Sequence, residues 1–358
     1  MAKISRIIQQ DARAVAEAMA PQLAKAAGDT VIVTGAGGFL GSFLVDCLVA
    51  WNDLGAGEPM TVIAVDNMLT GLPERLAHLA NRPDVELLKH DITAAWTHAG
   101  GADWIVHGAS IASPPFYRQY PLETIDANVG GTRRMLDLAV DRHAKGVLVM
   151  STSEIYGDPT PDMIPTPEDY RGNVSCTGPR ACYDESKRLA ETLAVTYHQL
   201  YDVPAKIIRP FNVFGPGQRI DDKRVIPDLM TAALARQPIV LFSDGRATRS
   251  FCYVADAVRG MLTVLLADVA GEAFNVGNDE QEISMLDLAK LMARIASDPP
   301  LSVTHQVSDD ADYLTDNPQR RCPVLDKLRG LGWEPQVPLE EALSRTLASY
   351  AELEEAAA

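Results

Sequence analysis

The 358-residue chain is long enough to bury a large core, and its formal net charge of −16 argues against broad nucleic-acid binding, which needs a basic surface. It has no apolar run approaching the roughly 18 residues of a membrane span, and its amino terminus lacks the basic-then-apolar order of an export signal, so a cytoplasmic protein is expected. Five scattered cysteines (Cys47, Cys176, Cys182, Cys252 and Cys322) contain no Cys-x-x-Cys pair, which fits reduced thiols and no metal centre.

Ile4, Ile7, Ile8, Val15, Met19 and Leu23 recur mostly at three- and four-residue spacings, so residues 1–28 read as an amphipathic helical extension packed on the body or on a partner subunit. The β-branched run Thr30-Val31-Ile32-Val33-Thr34 then enters Gly35-Ala36-Gly37-Gly38-Phe39-Leu40-Gly41, and a helical pattern follows from Ser42. Strand, glycine turn and helix in this order let the backbone approach a pyrophosphate whose charge sits on the helix N-terminus. Gly35, Gly38, Phe39, Leu40 and Gly41 are therefore candidate dinucleotide contacts.

The next strand, Thr61 to Val65, ends at Asp66, a carboxylate able to accept both adenosine-ribose hydroxyls. Asn67 follows where a 2′-phosphate reader would carry arginine, which favours NAD over NADP. Val85–Lys89 leads to Asp91 and Ile92 on the adenine side, and the small residues after Ile105–His107, Ala109 among them, leave room for the cofactor backbone. His107 reads as a structural histidine at a buried strand end. A helix is expected from Asn128 to Val140, and the strand Gly146–Met150 delivers Ser151 and Thr152 at its carboxyl end, where parallel sheets bind ligands.

Tyr183 and Lys187 stand four apart, so a helix places them on one face, and an ammonium beside a phenol favours the phenolate. A free tyrosine titrates near about 10, and the lysine field, together with a positively charged nicotinamide ring nearby, is expected to lower that toward a useful base. Ala205–Arg209 is a further strand. Beyond it the chain turns to loops and short elements, with Phe251–Ala267 read as a helix returning to the sheet.

The glycine spacing, Asp66, the Ser/Thr after the fifth strand and Tyr183-x-x-x-Lys187 together resemble the extended short-chain dehydrogenases/reductases of the nucleotide-sugar-modifying branch. Ala112-Ser113-Pro114-Pro115, Thr152 to Pro159, Gly172-Asn173-Val174, Gly178 to Glu185, Asn212 to Pro216, Thr248 to Phe251 and Asp316 to Arg321 resemble most the UDP-glucuronate decarboxylases, which form UDP-xylose. The long N-terminal helix, Ile111, Ser186 and Val324 depart from that pattern.

The resemblance implies an α/β Rossmann fold, a doubly wound parallel sheet over 29–210, with a smaller, interleaved substrate-binding lobe over 211–350 whose 251–277 segment returns to the sheet. It implies a homodimer paired through the Tyr183 helix, on which Leu189, Leu193, Ala194 and Tyr197 are available. It also implies a nucleotide-sugar substrate and NAD recycled in place, with Asn128, Tyr183 and Lys187 on the cofactor. Thr152, Ser153, Glu154, Tyr183, Lys187 and Arg249 are the implied catalytic residues, Glu154 and Arg249 acting near the sugar carboxylate. Ser113, Asn212, Arg224, Arg249 and Arg321 are the implied substrate contacts, Arg224 and Arg321 on the diphosphate. A 4,6-dehydratase, a 4-epimerase and a non-catalytic NAD-binding sensor on the same fold are the alternatives.

Overall fold

The computed structural model describes residues 4–306 and 318–357. Asp316 and Asn317, which open the last resembling stretch, lie outside the described residues. Seven strands form one sheet: β1 (Thr30–Thr34), β2 (Thr61–Asp66), β3 (Val85–Lys89), β4 (Trp104–His107), β5 (Gly146–Met150), β6 (Ala205–Pro210) and β7 (Glu272–Val276). Their spatial order is β7-β6-β5-β4-β1-β2-β3, and every neighbouring pair is parallel. Continuous Val/Ile runs make such a sheet possible, because helices cover both faces. Val31, Ile32 and Val33 are all but inaccessible, whereas the edge strand β3 stays half-exposed.

Chain order reverses between β1 and β4, so their carboxyl ends open a crevice above the sheet. Helix α1 (Arg6–Ala18) precedes β1, and α2 (Phe39–Leu54) follows it; α3 (Thr132–Arg142) and α4 (Ala181–Tyr201) flank β5, α5 (Val254–Leu266) leads to β7, and α6 (Leu339–Ala357) ends the described chain.

The expected N-terminal helix stops at Ala18, since Pro21 sits in the first turn of a separate short helix. Its apolar face, with Ala12, Val15 and Ala16, is spent within this chain, packed on α2, α5 and α6. Buried Asp11 on the same helix accepts from Tyr253 Oη at 2.5 Å and is ion-paired with Arg345.

The helix expected from Asn128 begins as a π-turn over Asp126–Gly131 before α3 starts. This wider turn carries the buried Asn128, whose Nδ2 donates to Ser186 Oγ at 2.8 Å. The stretch from Phe251 is likewise not helical throughout: Cys252–Tyr253 pair with Val213–Phe214, and α5 begins at Val254. Residues 254–276 thus return to the main sheet, as α5 packs against β5, β6 and β7.

Beside the sheet, Thr248–Ser250 runs between Glu282–Ser284 and Arg320–Arg321, with Arg249 in register with Arg321. Among the described residues no helix is long and apolar enough to cross a membrane.

Candidate active site

The cofactor half is built from backbone. Gly35 has φ +73°, and a Cβ there would stand 2.8 Å from the backbone of Gly108 and Ala109. At Gly41 a Cβ would fall 2.2 Å from Gly35 O, so only glycine lets the turn and the helix meet. Gly38 caps α2 with no side-chain hydrogen bond, leaving the first N–H groups of the helix for an anion. Phe39 and Leu40 are the first, half-buried residues of that helix.

Asp66 is nearly buried. Its Oδ2 accepts from Gly37 N at 2.9 Å and its Oδ1 from Met68 N at 2.7 Å, which holds the carboxylate against the glycine turn. Asn67 Nδ2 donates to Asp91 Oδ2 at 3.1 Å. Asp91 lies below the ordinary carboxylate range because hydrogen bonds from Thr93 and Asn67 outweigh the upward push of burial. Ile92 packs against Gly131 at the π-turn. Buried Ser110 Oγ, Asn128 Oδ1 and Ser151 Oγ have no hydrogen-bond partner among the described residues; the two serines follow the carboxyl ends of β4 and β5, and Asn128 lies in the π-turn. A steric glycine cradle, an open helix end, a ribose-ready carboxylate and these polar atoms fit a bound NAD.

The catalytic half begins where β5 ends. Thr152 Oγ1 accepts from Glu154 N at 3.2 Å and starts a single 3-10 turn over Ser153–Tyr156, so Ser153 and Glu154 are positioned by local hydrogen bonding. Tyr183 lies in the first turn of α4, buried, with its ring stacked on Tyr117 at 5.3 Å between centroids. Lys187 Nζ donates to Met150 O at 2.7 Å and lies 5.9 Å from the Tyr183 ring centroid.

The shared face is as expected. Burial pushes the Tyr183 phenol well above its ordinary value, and the influences favouring its phenolate are the Thr152 hydroxyl and the Arg224 guanidinium. Burial also lowers Lys187 to about 7, with Glu191 pulling the other way. His107, whose Nδ1 lies 2.8 Å from Thr34 Oγ1, is held neutral by burial at about 3.

Around Glu154 the chain gathers arginines from three places. Arg180, immediately before α4, and Arg321 both ion-pair with its carboxylate, Arg321 also through Nη2 to Oε2 at 2.9 Å. Arg249 adds its field from the neighbouring strand while donating to Thr248 O at 2.7 Å and Pro318 O at 2.5 Å. Burial raises the Glu154 pKa, but Arg321, Arg180 and Arg249 more than reverse this and hold it at about 2. Arg249, lowered to about 10 chiefly by burial and then by Arg321, stays charged at neutral pH.

Arg321, expected on the nucleotide diphosphate, is paired with Glu154 and stands in register beside Arg249. Arg224 donates to Ala112 O at 2.9 Å and pairs with Asp222 at 3.1 Å, while Ser113 Oγ approaches Asp222 O at 3.5 Å. These two predicted substrate residues are thus joined through one loop. Asn212 Nδ2 donates to Ser250 O at 3.0 Å, supporting the strand that carries Arg249.

Arg180 and Tyr117 were not among the predicted site residues. Arg180 stands inside the Gly178–Glu185 stretch, three residues before Tyr183, which was the available signal; nothing in the sequence marks Tyr117. Tyr117 Oη is buried without a hydrogen-bond partner among the described residues, and burial raises its phenol to about 12. Among the described residues no group of His, Cys, Asp or Glu is arranged to hold a metal.

A family model described as the NAD dependent epimerase/dehydratase family matches residues 31–277. The chain is 39% identical over 321 residues to UDP-glucuronic acid decarboxylase 1 of Arabidopsis thaliana, covering 89% of this chain and 69% of that protein. It is 38% identical over 319 residues to UDP-glucuronic acid decarboxylase 1 of Xenopus tropicalis, covering 88% and 71%. Among solved structures it is similar to a dTDP-glucose 4,6-dehydratase of Streptomyces venezuelae with NAD bound, at 27% identity and a TM-score of 0.77, covering 90% of this chain and 97% of that one. Glycine turn, Asp66, Thr152, Tyr183 and Lys187 stand in the matched segment, and the chain belongs to the NAD dependent epimerase/dehydratase family.

Proposed function

We propose that the protein decarboxylates UDP-glucuronic acid to UDP-xylose through a 4-keto sugar. The observation that carries this reading is the gathering of Arg180, Arg249 and Arg321 around Glu154, next to Tyr183 and Thr152, a cationic pocket suited to a sugar carboxylate. The names of the relatives support the same substrate. NAD, when bound, takes hydride from carbon 4 and returns it, and its positive ring favours the Tyr183 phenolate.

Tyr183 accepts the proton of the carbon 4 hydroxyl, with Thr152 hydrogen-bonded to the same oxygen. The ketone so formed is β to the carboxylate, so the bond to carbon dioxide breaks with its electron pair held as an enolate. Glu154 protonates carbon 5, and Tyr183 gives its proton back to the carbon 4 oxygen. Lys187, Asp66 and the Gly35–Gly41 turn hold the cofactor. Incubation with UDP-glucuronate and catalytic NAD tests the proposal: a product lighter by one carbon dioxide is expected, and an unchanged or merely isomerised substrate would overturn it.

We also place the enzyme in the cytoplasm as a homodimer. Five free cysteines support the compartment. For the dimer, Ala194 and Tyr197 are spent in the core, so the exposed apolar face is formed instead by Leu122, Ile125 and Leu189. Sedimentation of the Leu189→Glu protein is expected to show monomers where the parent shows dimers.

A further inference from the structure

We propose that Glu154 is locked as a carboxylate by the arginines that later bind the substrate, and that the sugar carboxylate releases it by taking those guanidinium groups over. The inference rests on the decarboxylase reading above and concerns how the same site tells acidic from neutral sugars. Its basis is geometric. Arg180 and Arg321 approach the one carboxylate from opposite parts of the chain, and Arg249 stands in register beside Arg321. Arg321 and Arg249 are buried and Glu154 is partly buried between them and Arg180. Among the described residues the other charged or titratable neighbours are Tyr117 on the helix Pro114–Gln119, Tyr183 and Asp184 on α4, Asp158, and Glu282 on the strand paired with Arg249.

A protein that must deliver a proton from Glu154 cannot do so while Glu154 is fully paired. A second carboxylate entering this cage competes for Arg321 and Arg180, and its like charge raises the proton affinity of Glu154. The sugar acid must stay ionised to lose carbon dioxide, so Glu154 is the partner that takes a proton, from solvent, as the substrate docks. That proton goes to carbon 5 once carbon dioxide has left, and the single proton consumed in the overall reaction enters at the binding step. A neutral sugar brings no competing anion and leaves Glu154 paired and unprotonated. Discrimination then follows from charge as well as from fit.

The test uses the NAD-loaded Tyr183→Phe enzyme, which binds substrate without completing turnover, titrated calorimetrically in buffers of differing protonation enthalpy. UDP-glucuronate is expected to bind with uptake of close to one proton per site, its Kd rising about tenfold per pH unit near neutrality, since binding and protonation are linked. UDP-glucose is expected to show neither effect. Tyr183→Phe combined with Glu154→Gln is expected to bind UDP-glucuronate more tightly, without uptake and with a flat pH dependence; Lys187 is common to both proteins and cancels. UDP-glucuronate binding without proton uptake, or uptake that persists after Glu154→Gln, overturns the exchange and leaves the decarboxylase reading standing. Failure to bind UDP-glucuronate by a protein that still binds UDP overturns both. If the doubly substituted protein does not fold, the contrast between UDP-glucuronate and UDP-glucose in the Tyr183→Phe enzyme decides the question alone.

Discussion

The two halves of the crevice are held together by different physics. The cofactor side is a matter of backbone and sterics over a short stretch: Asp66 reaches back 29 residues to Gly37, and Gly35 and Gly41 leave no room for a methyl group. The substrate side is a matter of charge over long range, with Arg321 joining Glu154 across 167 residues. Steric devices of the first kind tolerate almost no substitution but are insensitive to pH. Electrostatic devices of the second kind tolerate shape changes and respond to every nearby charge.

Substitutions that separate chemistry from binding sharpen the contrast. The largest expected effect is Tyr183→Phe, which removes the group that moves the carbon 4 proton; kcat is expected to fall about 10³- to 10⁴-fold with the circular dichroism spectrum unchanged. A loss below about tenfold would remove Tyr183 from its assigned role.

Gly41→Ala attacks the steric half. A methyl group at 2.2 Å from Gly35 O forces the turn and α2 apart. A stability loss of about 1–3 kcal/mol in thermal or urea unfolding, together with weaker NAD binding by fluorescence titration, is expected. Unchanged NAD affinity would break the assignment of this turn.

Arg180→Ala attacks the electrostatic half and leaves NAD affinity alone. It removes one of two ion-paired guanidiniums at Glu154. With Arg249 and Arg321 still present, KM for UDP-glucuronate is expected to rise about tenfold, the loss of one charge-assisted contact. Equal losses for UDP-glucuronate and a neutral UDP-sugar would show that Arg180 does not read the carboxylate.

The smallest effect is on stability in acid. The Glu154 carboxyl is held at about 2 against an ordinary value of 4.5. Its ion pairing therefore stabilises the fold above the unfolded value and is lost as pH falls from about 4.5 through about 2. Thermal unfolding followed across that window is expected to fall less steeply in Glu154→Gln than in the parent, although the substituted protein is less stable at neutral pH because its arginines lose their anion.

The fold was largely legible in the residues. The β-branched runs gave the central strands of the sheet because those are buried on both faces, and the Gly35–Gly41 turn and Asp66 are local features whose meaning survives without tertiary context. Helix boundaries were less legible. The π-turn at Asp126–Gly131 and the strand at Cys252–Tyr253 each depend on partners far along the chain, Ser186 for the first and Val213–Phe214 for the second. Ala194 and Tyr197 could not be told from interface residues by helical spacing alone, since spacing defines a face and not what covers it.

What the sequence determined by itself is therefore what short-range geometry determines: a glycine cradle for a dinucleotide, a carboxylate one strand later, and a tyrosine and a lysine on one face of a helix. The tertiary structure alone decided which arginines surround Glu154, and which charges survive in the site. The pairing of Arg249 with Arg321 is a strand register between segments some 70 residues apart, which no local pattern encodes. Likewise the raised Tyr183 and the lowered Lys187 follow from burial, and desolvation belongs to the folded cleft as a whole.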